Sequence, residues 1–219
     1  MPMLTRHTRG YLPHVDAPEG TYFLTFRLHD SLPAKALAEF RTELRLRKFQ
    51  QKQNLHSTYH WDDEYFRRIE GYLDESAGNC WLGQPKIASL VSNALRYFDN
   101  ERYILHTWTI MPNHVHVLFT LLKDFHLSSI AHCWKSFTAK EANRILGRSG
   151  SFWQRESFDR LIRSDRQMEF TIRYILNNPV KAGLCKEMFQ WPWSGCSAEI
   201  QDIARKFFWS NAGEDACAP

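Results

Sequence analysis

The stretch MPNHVHVLF, residues 111–119, sets two histidines one residue apart inside an apolar run. On a β-strand, residues i and i+2 project to the same face, so His114 and His116 stand roughly 7 Å apart along the backbone with imidazoles free to converge. Val115 and Val117 point the other way, toward a core. Two imidazoles on one face are half of a divalent-metal site. The pattern also suits two polar histidines on a sheet face. A zinc hydrolase would need a third histidine or a carboxylate. No H-E-x-x-H companion is present, and His126 and His132 belong to the following helical stretch.

Residues 164–184, SDRQMEFTIRYILNNPVKAGL, hold a second group of interest. Met168, Ile172, Ile175 and Leu176 make an apolar stripe at helical spacing. At about 100° per residue, Tyr174 lies well off that stripe. Asn178 is four residues on and shares the face of Tyr174 if the helix holds that far. Pro179 argues for an earlier end, because the pre-proline residue prefers extended backbone. A partly exposed tyrosine beside a capping asparagine is the plainer account of the pair.

The elements that must position these residues are readable in outline. TYFLTFRL (21–28) alternates and is rich in aromatic and β-branched residues, as a strand is. Pro33 opens a helical pattern to about Gln53, with Leu37, Phe40, Leu44 and Phe49 apolar, and a second helix covers about 62–74. PKIASLVSNALRYFDN (85–100) is amphipathic with proline in its first turn. Strands over 103–111 and 114–121 join through Pro112-Asn113 as a hairpin. A helix over 127–146 ends at Gly147, residues 152–163 contain a short strand, and a helix runs from Ser164 to about Asn177. Ser164 and Gln167 have capping-box spacing at its start. The order predicts an α+β sandwich with helices returning to one face of an antiparallel sheet.

The 219 residues suit one large domain: we expect it over 1–195, with an appendage at 196–219 whose end is loose. Five scattered cysteines form no C-x-x-C pair, so neither a disulfide framework nor a structural zinc site is expected. No stretch of about 18 apolar residues exists, and MPMLTRHTRGYLPH has no signal-peptide core, which makes a cytoplasmic protein the expectation. The net charge is +4, and residues 125–175 alone hold nine basic and five acidic residues, the same excess. That segment is either a solvated helix face or a surface for phosphates. No G-x-x-x-x-G-K-[ST] loop is present, which argues against ATP as an energy source.

Taken together, YFLTFRLHDSLP, GNCWL (78–82), MPNHVHVLF, WKSFTAKEANR, FWQRESFDRLIR and YILNNPVKAGL, in this order, resemble the REP-associated tyrosine transposases. These are single-tyrosine members of the HUH group, and the resemblance runs over roughly residues 11–195. It implies a ferredoxin-like HUH fold with a central antiparallel sheet, and cleavage and rejoining of single-stranded DNA. It implies Mg²⁺ or Mn²⁺ on His114 and His116, with Asn178 as third ligand, and Tyr174 as the nucleophile that makes a 5′-phosphotyrosine link. The implied partner is single-stranded or hairpin DNA with palindromic repeats, met as a monomer or a dimer at the nucleoid. Trp134, Lys135, Arg144, Trp153, Arg155 and Arg160 are the candidate DNA contacts, the tryptophans by stacking on unpaired bases. Glu156 and Asp159 are expected to orient Arg155 or Arg160. Two rival functions stay open: a hairpin-binding relative that no longer cuts, and a zinc hydrolase acting on another phosphoester.

Overall fold

The computed structural model describes residues 5–8, 13–51 and 61–201. A two-stranded ribbon, β1 (Thr5–Thr8) and β2 (Pro13–Asp16), precedes the main body. Next come β3 (Thr21–Arg27), α1 (Ala34–Gln51) and α2 (Trp61–Asp74). Then follow α3 (Pro85–Arg96), β4 (Tyr103–Ile110), β5 (His114–Leu121) and α4 (Leu127–Ile145). The chain continues through β6 (Phe158–Leu161), α5 (Asp165–Lys181) and β7 (Ser194–Cys196). Five strands form one antiparallel sheet in the order β6-β3-β5-β4-β7. The protein is α+β, as the sequence predicts.

The histidine strand β5 is central. It pairs with β3 on one side, with Thr25 opposite His116, and with β4 on the other, with Thr109 opposite His116. The β4–β5 hairpin closes where Met111 N donates to His114 O at 2.8 Å. Strand alternation then separates two cores. Val115, Val117, Phe119 and Leu121 pack with Tyr22, Leu24 and Phe26 against Ile87, Val91 and Leu95 of α3 and Ile130 and Trp134 of α4. On the opposite face, Phe23 and Leu118 pack against Ile172, Ile175 and Leu176 of α5. Helices therefore cover both faces, not one as expected from the sequence. The reason is that β3 and β5 are buried on both sides, with Phe23, Thr25, His114, His116 and Leu118 covered on the second face, and a sheet of that kind has no face left for water.

The predicted end of α5 before Pro179 also needs correction: the helix continues to Lys181 with Pro179 inside it. Pro179 is buried, so packing offsets the hydrogen bond that its missing N–H forfeits. Ser164 caps the start, its hydroxyl accepting from Gln167 N at 3.3 Å, while Gln167 Oε1 accepts from Arg163 N at 2.8 Å. At the far edge, β7 pairs with β4 across the expected boundary at 195, and Ile200 is buried with the α5 core. A Cβ at Gly195 would collide with the Trp108 ring, so only glycine lets β7 close on β4 here. The expectation for the loose end of the tail lies outside the described residues. Among those residues no helix is long and apolar enough to cross a membrane.

Candidate functional site

His114 and His116 point from β5 toward α5 and are both fully buried. Their Nε2 atoms lie 3.0 Å apart. Each ring is held from behind by a hydrogen bond at Nδ1: His114 to Asn113 Oδ1 at 2.7 Å, His116 to Thr25 Oγ1 at 2.7 Å. Asn113 fixes the tautomer of His114. Its Nδ2 donates to Leu73 O and Ala77 O at 3.2 and 3.3 Å, which turns Oδ1 toward the ring. An amide oxygen only accepts, so His114 Nδ1 carries the proton and Nε2 presents a lone pair. This backing of a ligating imidazole is typical of metal sites.

The companion group absent from the sequence reading is Glu70, in the last turns of α2. Its carboxylate Oε2 lies 3.3 Å from His116 Nε2. Glu70, His114 and His116 each offer a ligand atom, all within 4.8 Å of one another, and all three residues are buried. Burial by itself raises a carboxyl pKa. Here the neighbouring His116, by charge and hydrogen bond, and then His114 outweigh it and hold Glu70 down to about 2. Burial, and then repulsion from His116, pushes His114 down to about 3, so its imidazole is neutral at physiological pH. Anionic carboxylate and neutral imidazole are the protonation states that bind cations.

Tyr174 completes the cluster from α5. Its hydroxyl donates a short hydrogen bond to Glu70 Oε2. Its ring stands edge-on to Phe23 at 5.8 Å and to His116 at 5.3 Å, and Phe23 in turn stacks on His116 at 5.5 Å. Burial, followed by the negative Glu70, pushes the phenol far above its ordinary range, so it is neutral. Asn178 sits one turn further along the same helix, which holds through this position. It is 1 % exposed, and neither amide atom has a hydrogen-bond partner among the described residues. Glu70 Oε1 is likewise buried without one. Unpaired buried polar atoms are costly, and several of them around two converging imidazoles fit a cation. The histidine spacing fits as well: 3.0 Å is about the edge of an octahedron with ligands ~2.1 Å from its centre, the Mg²⁺ distance. The residues present could therefore hold a metal ion.

The other predicted contacts are not brought to this site. Trp134 and Trp153 are 3 % and 7 % exposed and lie in the core on the opposite side of the sheet. Trp134 Nε1 donates to Tyr103 Oη, and Trp153 Nε1 to Thr138 Oγ1. With no free ring face, neither can stack on a base, which corrects that expectation. Lys135 Nζ donates to Gln154 O, Arg155 O and Ser157 Oγ at 2.7, 2.9 and 3.1 Å, and so clamps the segment leading into β6. Arg144 is exposed and pairs with Glu141 at 2.8 Å. Arg155 is exposed, and Arg160 on β6 lies 5.6 Å from the Phe158 ring.

The sheet offers H-x-H on its central strand beneath the helix that carries Tyr174, and known proteins similar to the chain can be set beside that arrangement. Residues 85–178 match the family model described as "Transposase IS200 like". The chain is 30% identical over 102 residues to a "Putative REP-associated tyrosine transposase" of Haemophilus influenzae, covering 42% of this chain and 58% of that one. It is 29% identical over 105 residues to the "REP-associated tyrosine transposase" of Escherichia coli K12, covering 48% of this chain and 59% of the relative. The matches thus span somewhat over half the length of these curated relatives. A solved structure of a REP-associated tyrosine transposase bound to a REP hairpin shares the fold. It has a TM-score of 0.51 and 20% identity, over 92% of this chain and 87% of that one. Over these segments the chain is similar to REP-associated tyrosine transposases. Glu70 lies outside the matched segment.

Proposed function

We propose that this protein is a cation-dependent endonuclease and strand transferase of single-stranded DNA, acting beside palindromic hairpins with Tyr174 as nucleophile. The observation that carries the reading is the junction of Tyr174 with a buried two-histidine, one-carboxylate cluster through Glu70. His114, His116 and Glu70, with Asn178 adjacent, would hold Mg²⁺ or Mn²⁺. A bound divalent ion would neutralise charge developing on the scissile phosphate.

In the reaction, Tyr174 Oη forms a bond to phosphorus and the bond from phosphorus to the DNA 3′ oxygen breaks. The phenol gives up its proton and the 3′ oxygen gains one, so the products are a 5′-phosphotyrosine and a free 3′-OH. One phosphoester replaces another, and rejoining needs no nucleotide triphosphate. Phe23 and His116 fix the tyrosine ring, which limits the directions from which Tyr174 can approach a phosphate. Arg155 and Arg160 are candidates for phosphate contacts near β6. The named hairpin partner of the solved relative supports hairpin DNA as the ligand.

The test uses single-stranded DNA carrying a palindrome from the gene's own flanks, with Mn²⁺ or Mg²⁺. A protein band shifted by DNA on a denaturing gel, lost in Tyr174→Phe and in His114→Ala/His116→Ala, is the expected result. Hairpin binding without any adduct would leave a non-cutting binder, and turnover that survives Tyr174→Phe would leave a metal hydrolase.

A further inference from the structure

We propose that Glu70 couples cation occupancy to release of the nucleophile. This rests on the cation reading under Proposed function and deepens it. Oε2 of Glu70 does two things at once: it accepts the Tyr174 hydroxyl, and it is the oxygen 3.3 Å from His116 Nε2. Its partner atom Oε1 is buried and makes no hydrogen bond. In this arrangement Tyr174 is tied to the one carboxylate of the cluster, and its hydroxyl is directed at Glu70 instead of outward to a phosphate.

When Glu70 turns its charge to a cation on His114 and His116, that charge no longer serves the phenol fully. The hydrogen bond weakens because its strength comes from the ionised acceptor. Tyr174 is then free to rotate toward substrate about a ring position that Phe23 still guides. Asn178, buried one turn away and within reach of the Tyr174 hydroxyl, is placed to receive it. Glu70 thus acts as a positioning residue that keeps the tyrosine unavailable until the site is loaded. By linkage the effect runs both ways: whatever holds Tyr174 on Glu70 must oppose cation binding.

The reciprocal gives a test that needs no DNA. Mn²⁺ affinity is measured by titration calorimetry on the full chain, with a thermal melt on each variant to establish folding. Tyr174→Phe removes the competing hydroxyl and is expected to bind Mn²⁺ about tenfold more tightly, the size of one hydrogen bond to a charged group. In a Glu70→Gln background, where Mn²⁺ binds more weakly, the same Tyr174→Phe change is expected to have no effect. Mn²⁺ binding that is lost in His114→Gln, but has the wild-type affinity or weaker in Tyr174→Phe, overturns the coupling and leaves the proposed function standing. No Mn²⁺ uptake by the wild-type protein overturns both.

Discussion

Asn113 offers a sharp separation of stability from metal chemistry. It is fully buried, accepts from His114 Nδ1, and donates to the carbonyls of Leu73 in the last turn of α2 and of Ala77 just after it. In Asn113→Ala, one imidazole N–H loses its partner, while Leu73 O keeps its bond from Ser76 N and Ala77 O its contact with Cys80 Sγ. The orphaned N–H costs about 1–3 kcal/mol, and the two lost carbonyl bonds, at 3.2 and 3.3 Å, add little. A total near ~2 kcal/mol follows, or a fall in melting temperature of roughly 4–8 °C for a chain of this size. The same change frees His114 to rotate, and cation affinity should fall by about 10–100-fold, as when other backing residues are removed. Asn113→Asp splits the two effects. Its carboxylate still accepts from Nδ1 and makes the ring a better donor, but repels both carbonyls. It should lose stability like the alanine variant while holding cation affinity near or above wild type. Chemical denaturation without cation and Mn²⁺ titration provide the two readouts. Equal losses of Mn²⁺ affinity in both variants would refute the reasoning, because Asn113 would then serve only the packing of α2.

Three further outcomes are expected. Trp134→Ala should destabilise the fold by about 3–5 kcal/mol, with hairpin affinity unchanged when measured on folded protein, since the ring faces the core. Arg155→Ala should leave melting unchanged, weaken hairpin binding and reduce the slope of log affinity against log salt by about one, as read by binding at several salt concentrations. Lys135→Met should destabilise through loss of the clamp on residues 154–157, with a particular pH signature. Burial first, and then Arg27, holds the Lys135 ammonium down to about 8, below its ordinary 10.5. Between those values the unfolded chain binds more protons than the folded one, so this group adds stability as pH rises from about 8 to 10.5. The wild type should therefore gain on Lys135→Met over that window in urea melts at pH 7.5 and 10.

Much of this was legible in the sequence because the signals are periodic. The 2-residue period of HVHVLFTL puts the histidines on one face and the valines on the other, and the structure keeps that arrangement. That Tyr174 and Asn178 share a helix face follows from the helical period, while the roles expected of them came from the resemblance alone. The second face of the sheet was missed because it carries polar residues, Thr25, His114 and His116 among them, that look solvated in the sequence although they are buried, and alternation cannot show which helix covers which side. Pro179 misled because a local backbone preference yielded to burial. Glu70 was missed because it is far away in sequence, on a helix with no motif. Its signal was present all the same: in WDDEYFRRIEGYLD it occupies the stripe with Phe66 and Leu73, and an acid on an apolar stripe must find a partner when buried. The tryptophans illustrate the reverse error, in which an aromatic near basic residues suggests stacking although the core claims it.

The central claim is that Tyr174 becomes covalently joined to DNA. The most direct measurement is mass spectrometry of peptides from protein incubated with hairpin-bearing single-stranded DNA and Mn²⁺, after nuclease trimming. The account predicts a nucleotide joined through its 5′ phosphate to the peptide that contains Tyr174, absent when Mn²⁺ is omitted. A nucleotide on another residue, or cleaved DNA with no modified peptide, would contradict it.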